Sequence, residues 1–287
     1  MNRLTLPVSI SSLIDKIGDQ RSLSPTEIRN YIREANIQKE DLLDWADFDH
    51  NINEGYGRKL VYKQDHYEIM VMSWAPFDST AVHDHGYTSW GAVQVFGELE
   101  HITFDYEDQY LTIDLKEKLS AGEIITVNND MIHQMVNYHN KRALSLHVYG
   151  TDKDVESVTS SAQLYNVSNG QVELVDGGVY YDLKECDYIL KGEEFETDRL
   201  TEIAHYTLLL QHYFKTGNKG QEYRACMNYF HNRSFEGRLI NELEMDSKRV
   251  LYFIELKRAR KLLRSLGEST RTLDSMINDI NEFERYS

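Results

Sequence analysis

The residues of this chain best suited to chemistry are His83-Asp84-His85. Two histidines at i and i+2 on an extended strand project to the same face, so both imidazoles can reach one metal ion. A second segment, Gly122-Glu-Ile-Ile-Thr-Val-Asn-Asn-Asp-Met-Ile-His133-Gln-Met-Val-Asn137, runs through a glycine turn, an apolar strand, a polar turn and one more histidine. Two hairpins facing each other across a small barrel would bring His133 to the first pair. The expectation is a three-histidine metal site. Three neutral nitrogen donors without a carboxylate leave coordination positions open, which suits catalysis better than a closed structural site.

Both segments resemble the paired motifs of the cupins, small β-barrels with a central metal. The first motif runs glycine, five residues, His-x-His, four residues, Glu, six residues, glycine, and falls here on Phe77, His83, His85, Trp90 and Gly97. The second falls on Gly122, Asn128 to Asp130, His133 and Asn137. The glutamate of the first motif is absent.

Within the cupins, the chain is similar to the cysteine dioxygenase type I family over roughly residues 5 to 185. Tyr56-Gly-Arg58-Lys-Leu-Val resembles that family's Tyr-x-Arg segment, and Ser145-Leu-His147-Val-Tyr149 its Ser-x-His-x-Tyr strand; Trp74 also fits. The resemblance implies Fe(II) as cofactor, held by His83, His85 and His133, with L-cysteine and O2 as substrates. It implies a carboxylate grip by Arg58 beside Tyr56, and a hydrogen-bonded relay through Ser145 and His147 to the Tyr149 phenol. The expected product is cysteine sulfinic acid. Animal members carry a cysteine where Trp90 stands here and join it to the tyrosine as a thioether, a crosslink this chain cannot form. Bacterial members commonly have glycine in that slot, and Gly91 lies one place away; a one-residue shift in the preceding loop would restore it. Trp90 is counted with Arg58 and Tyr56 as substrate-binding; if it points inward, its bulk shrinks the pocket and tells against cysteine as substrate. After Tyr149 the chain reads Gly-Thr-Asp rather than a proline pair, so the exit loop is expected to differ.

Composition sets the surrounding limits. At 287 residues and 41% hydrophobic, the chain has ample core for two domains. A net charge of −16 argues against a nucleic-acid or anionic-membrane binder, which needs an excess of Lys and Arg. Cys186 and Cys226 are far apart and lack metal-type spacing, so the expected setting is a reducing cytoplasm. No apolar run is long enough for a signal or a membrane span.

The elements that must position these residues follow from periodicity. Ile10, Leu13, Ile14 and Ile17 recur at helix spacing, and Ser24-Pro25-Thr26-Glu27 gives an N-cap, a first-turn proline and a capping-box glutamate for a second helix. A short helix is expected around Leu42 to Ala46. From Arg58 the period becomes two, with strands through Leu60 and Tyr62, Tyr67 to Ser73, Ala92 to Val95, Glu98 to Phe104, Tyr110 to Leu115, Ile124 to Val127 and Ala143 to Tyr149. A hairpin of Gln163 to Val167 and Val172 to Val175 and a last strand at Val179 to Leu183 complete the count. After Asp187 helix periodicity takes over. The expected fold is mainly β: a cupin double-stranded β-helix (jelly-roll) barrel over 58–185 with a helical lead-in over 1–50, together the domain 1–187, followed by an all-α C-terminal domain over 188–287.

That C-terminal region is expected to pack on the barrel, to dimerise or to dock a partner. Its Lys248, Arg249, Lys257, Arg258, Arg260, Lys261 and Arg264 read as a solvated helix face paired with nearby acids, with an acidic partner surface as the alternative. His101, His139, His205, His212 and His231 have no partner at useful spacing and read as structural. Two other functions remain open: a dioxygenase for another small thiol carboxylic acid, and a non-enzymatic cupin that senses a metal or thiol and signals through its helices.

Overall fold

The computed structural model describes residues 6–182, 188–231 and 246–286. Two helices lead in, α1 (Val8–Ile17) and α2 (Pro25–Ala35), followed by a 3-10 turn at Lys39–Trp45. The Ser24 hydroxyl accepts from the Glu27 amide and the Glu27 carboxylate accepts from the Ser24 amide, so the capping box forms as the sequence predicts.

Eleven of the twelve strands build the barrel. They are β1 (Gly57–Gln64), β2 (Tyr67–Trp74), β3 (Trp90–Phe96), β4 (Leu99–Glu107), β5 (Tyr110–Leu119), β6 (Ile124–Val127), β7 (Ile132–Val136), β8 (Ala143–Gly150), β9 (Ala162–Asn166), β10 (Gln171–Val175) and β11 (Tyr188–Glu194). One sheet has the order β1-β2-β8-β3-β6. Facing it, β5, β4 and β7 pair in turn, and an irregular stretch carrying Ser79 and His83 bridges β7 to β9, beyond which come β10 and β11. This is the expected cupin barrel.

Both faces of the first sheet are covered, so every residue of β2, β3 and β8 is buried, the polar ones included. Tyr67, Ile69, Val71, Trp90, Ala92, Leu144, Leu146 and Val148 pack outward against Ile10, Leu13, Ile28 and Ile32 of the lead-in helices. Met70, Met72, Trp74, Val93, Val95 and Tyr149 face the barrel interior with Leu99, Met135 and Leu164. Each fully buried aliphatic or aromatic side chain contributes about 1.5–3 kcal/mol. The helices thus cover the outer face of the sheet whose inner face carries the chemistry.

Two details differ from expectation. The stretch Val179 to Leu183 forms no strand within its described part, Val179–Asp182; the backbone of Val179 is used instead by Ala81, whose amide donates to its carbonyl at 3.1 Å. The last strand of the barrel is β11, which pairs antiparallel with β10 beyond position 187, inside the stretch read as helical. Its apolar triplet Tyr188-Ile189-Leu190 lacks the alternation that announces a strand. Phe77, in the glycine slot of the first motif, keeps the glycine conformation at φ 68°.

A second compact unit comprises Phe195–Ser287 with two pieces of earlier chain, Tyr106–Ile113 and Val167–Gly170. Within it, β12 (Glu196–Thr197) pairs parallel with Tyr110 and Leu111. Then follow α3 (Arg199–Thr216), α4 (Gln221–His231), α5 (Asp246–Ser265) and α6 (Arg271–Tyr286). The Asp198 carboxylate caps α3 by accepting from the Thr201 amide at 2.8 Å, and Gly217 ends it at φ 70°. The basic residues are largely paired: Arg258 with Glu255, Arg260 and Arg264 with Asp274, and Lys248 with Asp198. Among the described residues, no helix is long and apolar enough to cross a membrane.

Gly86 follows the histidine pair directly, at φ 54°, where a Cβ would stand 2.2 Å from the Ser160 carbonyl oxygen. Gly86→Ala is expected to cost about 2 kcal/mol or more, read as a lowered urea midpoint, because the fault is in the backbone and side-chain repacking cannot relieve it. An unchanged midpoint would show that this turn gives way easily.

Candidate metal centre

The backbone explains why the first two motifs meet. The amide of His83 donates to the carbonyl of His133 at 3.0 Å and the amide of His133 donates to that of His83 at 2.8 Å, so the two residues are a hydrogen-bonded antiparallel pair. Directly opposed residues send side chains to the same face. Asp84 turns the chain just beyond: its Oδ1 accepts from the Gly86 amide at 3.0 Å and the Gln163 amide at 2.7 Å, which delivers His85 to the same space. Ring centroids lie 4.7 Å apart for His83 and His133, 4.6 Å for His85 and His133, and 5.5 Å for the first pair. One ring nitrogen from each lies within 4.8 Å of the others.

All three rings are buried, and burial lowers the pKa of His83 to about 4 and those of His85 and His133 well below the usual imidazole value. Neutral imidazole is the form that binds metal. His83 uses Nδ1 to donate to the Ala81 carbonyl at 2.9 Å, which frees Nε2 for the centre. Among the described residues neither ring nitrogen of the buried His85 has a partner in hydrogen-bond geometry, although the Asn128 and Met131 backbones lie beside the ring. Such an orphaned polar ring is costly unless something else takes its lone pair. A small cation with affinity for imidazole fits this donor set.

The relay strand behaves as its alternation predicts. On β8, Ser145, His147 and Tyr149 face inward. Ser145 Oγ lies 2.7 Å from His147 Nε2, and His147 Nδ1 lies 2.6 Å from the Tyr149 hydroxyl. Behind them, the Trp74 indole N–H donates to Ser145 Oγ at 2.8 Å. In the tautomer in which the Ser145 proton goes to His147 Nε2, Nδ1–H donates to Tyr149 and the phenolic proton is left for the cavity. Burial holds His147 neutral, with its pKa pushed down to about 3, and raises that of Tyr149.

Arg58, on β1, donates to Thr159 Oγ1 at 3.0 Å. Thr159 leads to Glu68 at 3.4 Å, and Glu68 also accepts from Ser157 and pairs with Lys63 at 3.2 Å. The guanidinium is thus braced from behind by a buried carboxylate. Tyr56 stacks on Trp74 at 5.2 Å between centroids, and its hydroxyl accepts from the Val179 amide. One cavity of about 40 Å³ is lined by Tyr56, Arg58, the three histidines, His147 and Tyr149, with Met72, Trp74, Met135, Ala162 and Val179 as apolar walls. By the criterion of about 10–15 Å³ per water, it holds roughly three waters or a few heavy atoms of a small ligand.

The structure brings together every residue singled out from the sequence except one. Trp90, read as a pocket residue, points out of the barrel: it packs with the lead-in helices and its indole N–H donates to the Arg21 carbonyl at 2.8 Å. The reason is strand parity. Gly91 is the residue opposite Tyr149, so its neighbour Trp90 faces the other way, over Gly150. A Cβ on Gly91 would meet the Tyr149 ring at 3.0 Å, and one on Gly150 would lie 2.0 Å from the Trp90 ring. The glycine after Tyr149, odd in the sequence, is what makes room for the indole.

Sequence reasoning missed three contributors. His101 lies 2.9 Å from the Nδ1 of His133, and its other nitrogen lies 3.1 Å from Glu117. Thr159 and Glu68 brace Arg58 from a loop and from the next strand. Their spacing carries no signal; only a register that pairs the strands finds them.

Comparison with known proteins agrees with this geometry. The profile of the family described as cysteine dioxygenase type I matches residues 8–154. Cysteine dioxygenase type 1 of Danio rerio is 24% identical over 153 residues, which span 50% of this chain and 75% of that protein. Among solved structures, an oxalate oxidase bound to glycolate aligns at 16% identity and TM-score 0.33, over 39% of this chain and 59% of its own. A Klebsiella pneumoniae protein with a double-stranded β-helix domain aligns at 17% identity and TM-score 0.31, over 42% and 92%. With the profile spanning half of its length, this chain belongs to the cysteine dioxygenase type I family.

Proposed function

We propose that the chain is an iron-dependent thiol dioxygenase that converts L-cysteine and O2 to cysteine sulfinic acid in a reducing cytoplasm. The observation that carries the reading is that three neutral imidazoles, a braced guanidinium and a relayed phenol line one small cavity. The balance is RSH + O2 → RSO2H: sulfur loses four electrons, O2 gains four, and no reductant is consumed.

Fe(II) held by His83, His85 and His133 would supply open coordination positions and the one-electron chemistry that O2 requires. The protein's own residues do the rest. Arg58 takes the substrate carboxylate by charge-assisted hydrogen bonds, its head fixed by Thr159 and Glu68. Tyr149 presents its hydroxyl proton to the same space, aimed by His147 and, behind it, by Ser145 and Trp74. Tyr56, Trp74 and the two methionines keep bulk water away from the sulfur. Since Trp90 lies outside the cavity, its bulk is no objection to cysteine. Any small thiol acid could use Arg58, so mercapto-acids are the second substrate class. In this reading the barrel unit is the catalytic domain and reaches Glu194 through β11 rather than ending at 187, and the helical unit from Phe195 is an appendage to it.

Iron-loaded protein is expected to consume O2 with L-cysteine and to yield sulfinate by mass spectrometry, with His133→Ala inactive. Stoichiometric iron without turnover on cysteine or any mercapto-acid would sink the enzyme reading in favour of a metal or thiol sensor. Arg58→Gln should raise KM for cysteine on the order of 100-fold, the scale of a lost charged hydrogen bond, with a smaller effect on kcat. Glu68→Gln leaves the guanidinium in place but less braced, so a KM rise of roughly 3- to 10-fold is expected, within the range of a single weakened hydrogen bond. Equal KM values in all three proteins would remove Arg58 from the carboxylate site.

A further inference from the structure

The three imidazoles of the centre are held in three different ways. His83 is oriented by a backbone carbonyl, and among the described residues His85 has no side-chain partner in hydrogen-bond geometry. His133 alone is oriented by a chain of side chains that leads outward: its Nδ1 lies 2.9 Å from His101 Nε2, and His101 Nδ1 lies 3.1 Å from a carboxylate oxygen of Glu117. His101 sits on β4, two residues before the Thr103 that pairs with His133, and is 2% exposed. Glu117 sits on β5, its side chain 42% exposed.

Proton bookkeeping along this chain has one neutral solution. An ionised carboxylate only accepts, so His101 donates from Nδ1–H. A neutral His101 then carries a bare lone pair on Nε2, and the partner that must donate to it is His133, from Nδ1–H. That leaves the lone pair of His133 on Nε2, on the side of the ring that faces His83 and His85. The opposite polarity would put a proton on His133 Nε2 and blunt the ligand.

We propose that His101 and Glu117 are positioning residues for the centre, locking His133 as the Nδ1–H tautomer so that Nε2 is free to bind the metal. The inference rests on the metal reading of the triad and adds a residue pair that spans the barrel wall. A carboxylate at the end of such a chain also makes the ligand more basic. The centre is therefore unsymmetrical: one of its three ligands takes its donor strength from a side chain that touches solvent.

The test uses the full chain with 15N-labelled histidine. Long-range proton–nitrogen spectra of the metal-free protein report each ring's tautomer, and competition with a chelating dye reports Zn(II) affinity. In the wild type, His133 is expected as the Nδ1–H form. His101→Leu should move it toward the Nε2–H form that unconstrained histidine prefers and weaken Zn(II) binding about 10- to 100-fold, the usual scale for losing an outer partner of a ligand. His101→Gln, whose amide oxygen can accept from Nδ1–H, should restore the tautomer and most of the affinity. Glu117→Ala should give an intermediate loss. The role is overturned if His101→Leu keeps the Nδ1–H form with a Kd within about twofold of wild type, or if folded His101→Gln fails to rescue. A wild type that binds no Zn(II) or Fe(II) overturns the metal reading itself. That outcome is told apart from failure of the His101 role because the tautomer spectra need no metal.

Discussion

The pair of backbone hydrogen bonds between His83 and His133 is the constraint on which the rest of the site depends. They join two segments fifty residues apart in sequence at a point where neither lies in a long regular strand on the His83 side. Opposed residues must share a face, so this pairing delivers two of the three imidazoles without any help from side-chain packing. The third comes from the Asp84 turn, which is closed by main-chain donors from Gly86 and Gln163. The metal-binding geometry is therefore written in main-chain hydrogen bonds, and the side chains are passengers on it.

Around that point, burial does most of the electrostatic work. His83, His85, His133 and His147 are all held neutral by removal from water, and His83, His85 and His147 also discourage a proton on the other rings. The same exclusion raises the Tyr149 pKa, keeping the phenol a donor. Among the described residues, Arg58 is the one Lys or Arg lining the cavity. A carboxylate entering there would meet one partner of opposite sign in surroundings that amplify the attraction.

Much of this was legible in the sequence, for identifiable reasons. His-x-His and Ser-x-His-x-Tyr are period-two patterns, and period two fixes the face once a strand is granted. The capping box at Ser24 has local chemistry that needs no tertiary context. What stayed hidden depends on register. Whether Trp90 or Gly91 faces inward turns on a single residue in the loop after His85, and one step of slip exchanges the two faces of a strand. Only the pairing of Gly91 with Tyr149 decides it. His101 looked structural because its partner lies on another strand, and β11 was overlooked because three apolar residues in a row announce burial without announcing shape.

The outward turn of Trp90 makes β3 a two-sided part. Its outer face carries an indole pinned to the Arg21 carbonyl between the lead-in helices, and the very next residue is the glycine against which the Tyr149 ring rests. Peptide geometry allows no slack between adjacent residues. The N-terminal helices are thus a splint for the Tyr149 phenol: a disturbance of the Arg21 turn on the surface would arrive in the cavity after crossing a single peptide bond.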